Sequence, residues 1–183
     1  RDWSSDVCSS DLVTIMPRGM ALGLTWQLPE HDRVNMYKDK MLEDIAILFG
    51  GRIAEEIFMN QMSTGASNDF ERATKLARAM VTRFGMSESL GTMVYEDSDQ
   101  DSYFGRMSSK TVSEATQQKV DMEIRNILDQ QYAMSRSLLE RNRDKVEAMA
   151  KALLEWETID ADQINDIMAG QEPRPDRKST RLN

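Results

Sequence analysis

Met36, Met41, Leu42, Ile45, Leu48, Phe49, Ile53 and Ile57 fall on one stripe of a 3.6-residue period, which predicts a helix over about residues 33–59. Few other folds tolerate that spacing, and it returns along the chain. Phe70, Ala73, Ala77, Met80, Val81 and Phe84 predict a second helix over about residues 68–84. Thr111-x-x-Glu114 has the form of a capping box and opens a third, to about Arg141, with Val120, Ile124, Ile127, Leu128, Met134, Leu138 and Leu139 as its stripe. About 28 residues at 1.5 Å each make that helix a rod of roughly 40 Å. After the "RNRD" corner a fourth helix carries Val146, Met149, Ala150, Leu153 and Leu154, and the two most simply form an antiparallel helical hairpin. A short helix from Asp160 to Met168 follows, capped by Asp160-x-x-Gln163. Only "VTIMPRGMALGLTWQLP", Val13 to Pro29, reads as strand, around a Pro17-Arg18-Gly19 turn. Gly23 inside it suggests a bulge or another backbone lying close. Gly50-Gly51 inside the first helix costs roughly 1 kcal/mol per glycine, tolerable where another element packs tightly. The expected fold is therefore mainly α: a helical bundle with a small β-hairpin-like element near the N-terminus and a long C-terminal antiparallel helical hairpin.

The two ends differ from everything between them. Asp176 to Asn183 can be back-translated as GAT CGG AAG AGC ACA CGT CTG AAC. The reverse complement, read in a shifted frame, encodes Ser-Asp-Val-Cys-Ser-Ser-Asp, which is Ser5 to Asp11. Unrelated protein ends are not each other's antisense, and the codon string has the form of a sequencing adapter. Residues 1–12 and 176–183 are accordingly expected to be adapter-derived and non-native, leaving 13–175 as the native segment. The single cysteine, Cys8, falls in the first of these, so the segment has no thiol for a disulfide or metal site. The net charge is −8, and no block of Lys or Arg interrupts it. Such a chain is poorly suited to phosphate backbones, and no nucleic-acid partner is expected. No apolar run has the length of a membrane span and no targeting signal is visible, so the segment itself is expected to be soluble.

Few residues are candidates for chemistry. His31 in "LPEHDR" is the single histidine, and beside two acids it reads as a solvated loop residue. The sequence contains no H-E-x-x-H pair, no Gly-x-Ser-x-Gly elbow and no Walker A loop. Glu55-Glu56 is a paired carboxylate on the first helix, and neighbours there face about 100° apart. At most one of them is expected to point inward, and the plain reading is two surface acids or one acid bonded to Arg52. Asp69 opens the second helix, where a carboxylate gains about 0.3–1 kcal/mol from the free N–H groups. Asn68 and Glu71 there have capping-box spacing. On the residues alone, Asp69 is a helix-start acid or a ligand, and both stand. Several of the fourteen methionines lie on the helical stripes, where the thioether serves as adaptable packing.

"VTIMPRGMALGLTWQLPE", "LFGGRIAEEI", "STGASNDFERATKLARAMVTRFGMSE" and "LLEWETIDADQINDIM" together resemble the FtsH family, its proteobacterial members above all. The resemblance runs in order through residues 13–175. It implies a partial zinc metallopeptidase domain belonging to an ATP-dependent, membrane-anchored protease. In that family the peptidase domains form a homo-hexameric ring beneath an ATPase ring that uses ATP and Mg. Zinc is held by the two histidines of an H-E-x-x-H helix and by the aspartate of the T-G-A-S-N-D block, here Asp69. Histidines four apart share a helix face and give Zn²⁺ two nitrogens, the third ligand leaves a position for water, and the helix's glutamate is the general base. No general base is therefore expected in this chain. Glu55 matches the family's A-E-E glutamate, and a supporting role behind the histidines is expected of it. Leu22, Gly23 and Leu24 are expected to line the substrate cleft, where an unfolded protein adds as an extra strand.

The resemblance places the parent at the bacterial inner membrane, on its cytoplasmic face, degrading membrane and soluble proteins in quality control. Membrane contact is expected only through segments N-terminal to this stretch. The segment by itself is expected to be inactive. The alternative is a non-catalytic helical module, derived from the protease fold, that assembles or binds partners.

Overall fold

A computed structural model describes residues 10–17, 23–27, 36–95 and 113–175. The chain divides into two units, one of Val34–Arg141 and the other of the residues on either side of it.

In the first unit the 3.6-residue stripes become three packed helices. Helix α1 spans Lys38–Ala54 and runs into a π-helical turn, Glu55–Met59; α2 spans Ser67–Thr82 and α3 spans Glu114–Arg141. Met41, Ile45, Phe49 and Ile53, four apart on α1, are buried against Ala73, Ala77, Met80 and Val81 of α2 and Val120 and Ile124 of α3. Ala73 and Ala77 have no accessible surface, so α2 meets the core there with its smallest side chains. Phe49 sits among the three helices, its ring 5.7 Å from that of Phe70 on α2 and 5.4 Å from that of Tyr132 on α3. Phe84, assigned to the α2 stripe by its spacing, lies past the helix end and is 56% exposed. The chain turns there through Gly85 at φ +58°, where a Cβ would meet the Thr92 backbone at 2.9 Å. Ser87 then donates its hydroxyl to Glu123 of α3 at 2.8 Å. Thr111 lies outside the described residues; the hydroxyl that caps α3 is that of Ser113, accepting the Thr116 N–H.

At Gly50-Gly51 no tightly packed neighbour is found among the described residues. A Cβ at either position would meet nothing within 4 Å among the described residues, so no neighbouring element there requires glycine.

In the second unit, β1 (Ser10–Thr14), β2 (Leu24–Gln27) and β3 (Thr158–Asp160) form an antiparallel sheet in the order β2-β1-β3. Val13 pairs with Thr25 on one side and Ile159 on the other. Helices α4 (Arg143–Trp156) and α5 (Ala161–Met168) pack with β3, burying Ala152, Ile159, Ile164 and Ile167. The capping box of α5 is formed as its spacing predicts: Asp160 accepts the Gln163 N–H at 2.9 Å, and Gln163 accepts the Asp160 N–H at 3.0 Å. Leu154, counted into the α4 stripe, is 78% exposed. Helices α3 and α4 follow each other directly with Asn142 between them; Val120, Ile124, Ile127, Leu128 and Leu139 of α3 pack in the first unit's core, and Met149 and Leu153 of α4 in the second's.

The close backbone expected at Gly23 is present. A Cβ there would stand 3.0 Å from the Thr14 carbonyl oxygen, and a backbone atom cannot rotate away from it. Gly23→Ala should cost about 1 kcal/mol, the overpacking partly offset by the lower chain entropy of alanine in the unfolded state. Urea denaturation of the variant beside the parent chain measures this, and a stabilised Gly23→Ala would show that the strand ends separate freely.

Candidate functional site at the start of α2

The turn that precedes α2 is short and polar. Its Ser67 N–H donates to the Thr64 carbonyl at 3.1 Å, and the Phe70 N–H donates to Ala66 at 3.1 Å. Ala66 is the N-cap residue, and no side chain caps the helix. The Asn68/Glu71 capping box predicted by spacing is therefore absent. The helix starts two residues earlier than that pattern requires, which places Asn68 inside the first turn, and Glu71 pairs instead with Lys75 at 2.5 Å. Asp69 lies in this first turn, half-buried. Among the described residues its carboxylate has no hydrogen-bond or ion-pair partner.

A bonded network anchors the turn to the end of α1. Ser63 donates its N–H to Glu55 Oε2 at 3.0 Å and its hydroxyl to Glu55 Oε1 at 2.5 Å. The same hydroxyl accepts the Gly65 N–H at 3.1 Å, and the Ser63 carbonyl accepts from Arg52 Nη1 at 3.1 Å. Arg52 also donates through Nε to Glu56 Oε1 at 3.2 Å, and its guanidinium lies 5.9 Å from the centroid of the Phe70 ring. Arg136 of α3 reaches the other oxygen of Glu56 at 3.1 Å.

Both acids of the pair are thus engaged at the π-turn, Glu55 with the turn before α2 and Glu56 with Arg52 and with Arg136 of α3. The Ser63 hydroxyl and N–H, and then Arg52, hold the Glu55 carboxyl below the ordinary glutamate range against the opposing effect of desolvation. A carboxyl with a lowered folded-state value contributes its stability above the ordinary range, and that contribution is lost as pH falls through the lowered value. Burial, and after it Glu56, pushes the Tyr132 phenol up.

A zinc site with three protein ligands needs donors that converge. Asp69 offers one carboxylate free of other partners, which suits a single ligand position. Among the described residues no group of three His, Cys, Asp or Glu is placed to hold a metal ion. His31 lies outside the described residues. The donor set described here is therefore incomplete for zinc, and no step of a reaction is routed through the metal.

Of the residues expected to line a cleft, Leu22 lies outside the described residues. Gly23 precedes β2, and Leu24 begins it, paired with Thr14. Strand β2 is at one edge of the sheet. Ser63, Arg52, Glu56 and Arg136 were not among the expected site residues. The bond from Arg52 to Glu56, a four-residue step, is the one part of this network that the sequence reading anticipates.

The model for peptidase family M41 matches residues 6–167, beginning inside the stretch expected to be adapter-derived. The chain is 76% identical over 165 residues to the "ATP-dependent zinc metalloprotease FtsH" of Cupriavidus metallidurans, covering 90% of this chain and 25% of that protein. To the Myxococcus xanthus protein of the same name it is 47% identical over 173 residues, 93% of this chain and 27% of that one. The Photobacterium profundum protein, also so named, is 45% identical over 161 residues, 86% of this chain and 23% of that one. The chain thus spans about a quarter of the length of the curated relatives it matches. Among the described residues no helix is long and apolar enough to cross a membrane.

Proposed function

Because the chain belongs to peptidase family M41, the FtsH-type proteases, we propose that it forms part of the peptidase domain of an ATP-dependent zinc metalloendopeptidase. One observation carries the reading to a residue: Asp69, in the Thr64-Gly65-Ala66-Ser67-Asn68-Asp69 block, presents a half-buried carboxylate with no partner among the described residues. Asp69 supplies one oxygen ligand, and two histidines outside this chain supply the nitrogens. Zinc, when bound, acidifies a water and polarises the scissile carbonyl. The general base belongs to the same outside helix, so this segment alone is inactive.

Further assignments follow from the same premise. The parent assembles as a hexamer, uses ATP and Mg in a separate ATPase domain, and is anchored in the bacterial inner membrane with this domain on the cytoplasmic face. Its substrates are unfolded membrane and soluble proteins. An extended substrate adds to the free edge of β2, near Leu22, Gly23 and Leu24, through main-chain hydrogen bonds that tolerate many sequences. Residues 1–12 and 176–183 are adapter-derived and supply no site residue, although Ser10 and Leu12 pair within the sheet.

The test is casein hydrolysis, with and without zinc and ATP, by this chain and by the intact protein. Cleavage that needs both is expected from the intact protein and none from this chain. An intact protein that binds no zinc and cuts nothing would instead be a non-catalytic assembly module.

A further inference from the structure

Three groups of one residue tie the α2 turn to α1. Ser63 gives its N–H and its hydroxyl to the two oxygens of Glu55, and its carbonyl takes a hydrogen bond from Arg52. Those two partners sit at the end of α1 on either side of Ile53, which has no accessible surface and is fixed in the core. The tether therefore ends on a rigid support. From Ser63 the restraint passes on through its hydroxyl, which accepts the Gly65 N–H, to the turn closed by Ser67 and Thr64.

Nothing local replaces it. Helix α2 has no side-chain cap, and a helix start without one is free to shift or fray by a residue. A shift of one residue turns the first-turn side chains by about 100° around the axis. We propose that Ser63, held by Glu55, is a positioning residue for Asp69: the latch sets where α2 begins and so where the Asp69 carboxylate points. The inference rests on the reading of Asp69 as a zinc ligand. It also moves the expected role of Glu55, which acts on the turn before α2 through Ser63.

The test uses the intact zinc-loaded protease with Ser63→Ala, Ser63→Thr and Asp69→Asn side by side. Zinc affinity is read by chelator competition, and helix content and thermal melting are followed by circular dichroism. Ser63→Ala should weaken zinc about tenfold, the lower end of what residues supporting a metal ligand contribute, with helix content unchanged. Ser63→Thr keeps the hydroxyl and should restore affinity to within about twofold of the parent protein. Unchanged affinity in Ser63→Ala overturns the proposal, as does a Ser63→Thr no better than Ser63→Ala. Asp69→Asn separates the two claims. Unchanged affinity there removes Asp69 from the site altogether, whereas its loss beside an unaffected Ser63→Ala removes only the latch. Should Ser63→Ala fail to fold, Glu55→Gln takes its place, since the amide keeps the shape and loses one of the two acceptor oxygens. Unchanged zinc affinity in Glu55→Gln then overturns the proposal.

Discussion

Asp69→Asn in the intact protease should lower zinc affinity by more than about 100-fold, beyond the range of supporting residues, and abolish casein hydrolysis with it. The substitution changes little else. Asparagine has the same shape. The charge lost from the first turn is worth about 0.3–1 kcal/mol at most. Among the described residues Asp69 has no partner to lose, so no hydrogen-bond network collapses with it. Helix content and melting temperature should therefore stay close to those of the parent protein while metal leaves. Zinc retained after dialysis, measured by atomic absorption, is the direct readout, and full occupancy in Asp69→Asn would contradict the assignment. Loss of metal together with loss of fold would show the opposite division of roles, with the carboxylate mattering to the helix.

The periodic features of the chain were legible because their physics is local. Helix α3 ends at Arg141 as its stripe indicates, and the box at Asp160 and Gln163 forms because both partners lie within one turn. The same spacing at Asn68 and Glu71 gave the wrong answer. There the start of the helix is decided by Ser63 and Glu55, eight residues apart, and no helical period joins them. The π-turn was illegible for a related reason. Nothing in Glu55-Glu56-Ile57-Phe58-Met59 distinguishes i→i+5 from i→i+4 bonding, and an α-helical reading turns the two acids to different faces. The glycines divide the same way. Gly23 interrupts a strand, where a backbone neighbour is always near, and one is found. Gly50 and Gly51 interrupt a helix, where the need for a neighbour depends on what else packs there. The chemical role of Asp69 was not in its own surroundings at all, because its proposed ligand partners lie outside this chain; only the resemblance pointed to it.

Phe49→Ala should be the most destabilising single truncation in the Val34–Arg141 unit, costing about 3–5 kcal/mol. The side chain is 4% exposed and belongs to the stripe that founds the fold. What sets it apart from Ile45 or Met41 is its place among three elements. The ring of Phe70, tilted at 49°, brings in α2, and the ring of Tyr132, edge-on at 68°, brings in α3. Such ring pairs contribute about 0.5–1.5 kcal/mol each beyond the area they bury. Deleting the ring leaves a cavity bordered by helices that cannot all close on it at once. The loss should also travel. Tyr132 lies beside Glu56, whose charge helps push its phenol up, and Glu56 is held by Arg52 and Arg136, so a tyrosine that moves into the cavity loosens the polar network that anchors Ser63. Urea denaturation of this chain gives the magnitude, with Leu154→Ala as the control: that residue is 78% exposed, and its removal should change stability by no more than about 0.5 kcal/mol. A Phe49→Ala variant that lost less than about 1 kcal/mol would mean that α1, α2 and α3 repack freely, and a core that loose could not hold the start of α2 in one place.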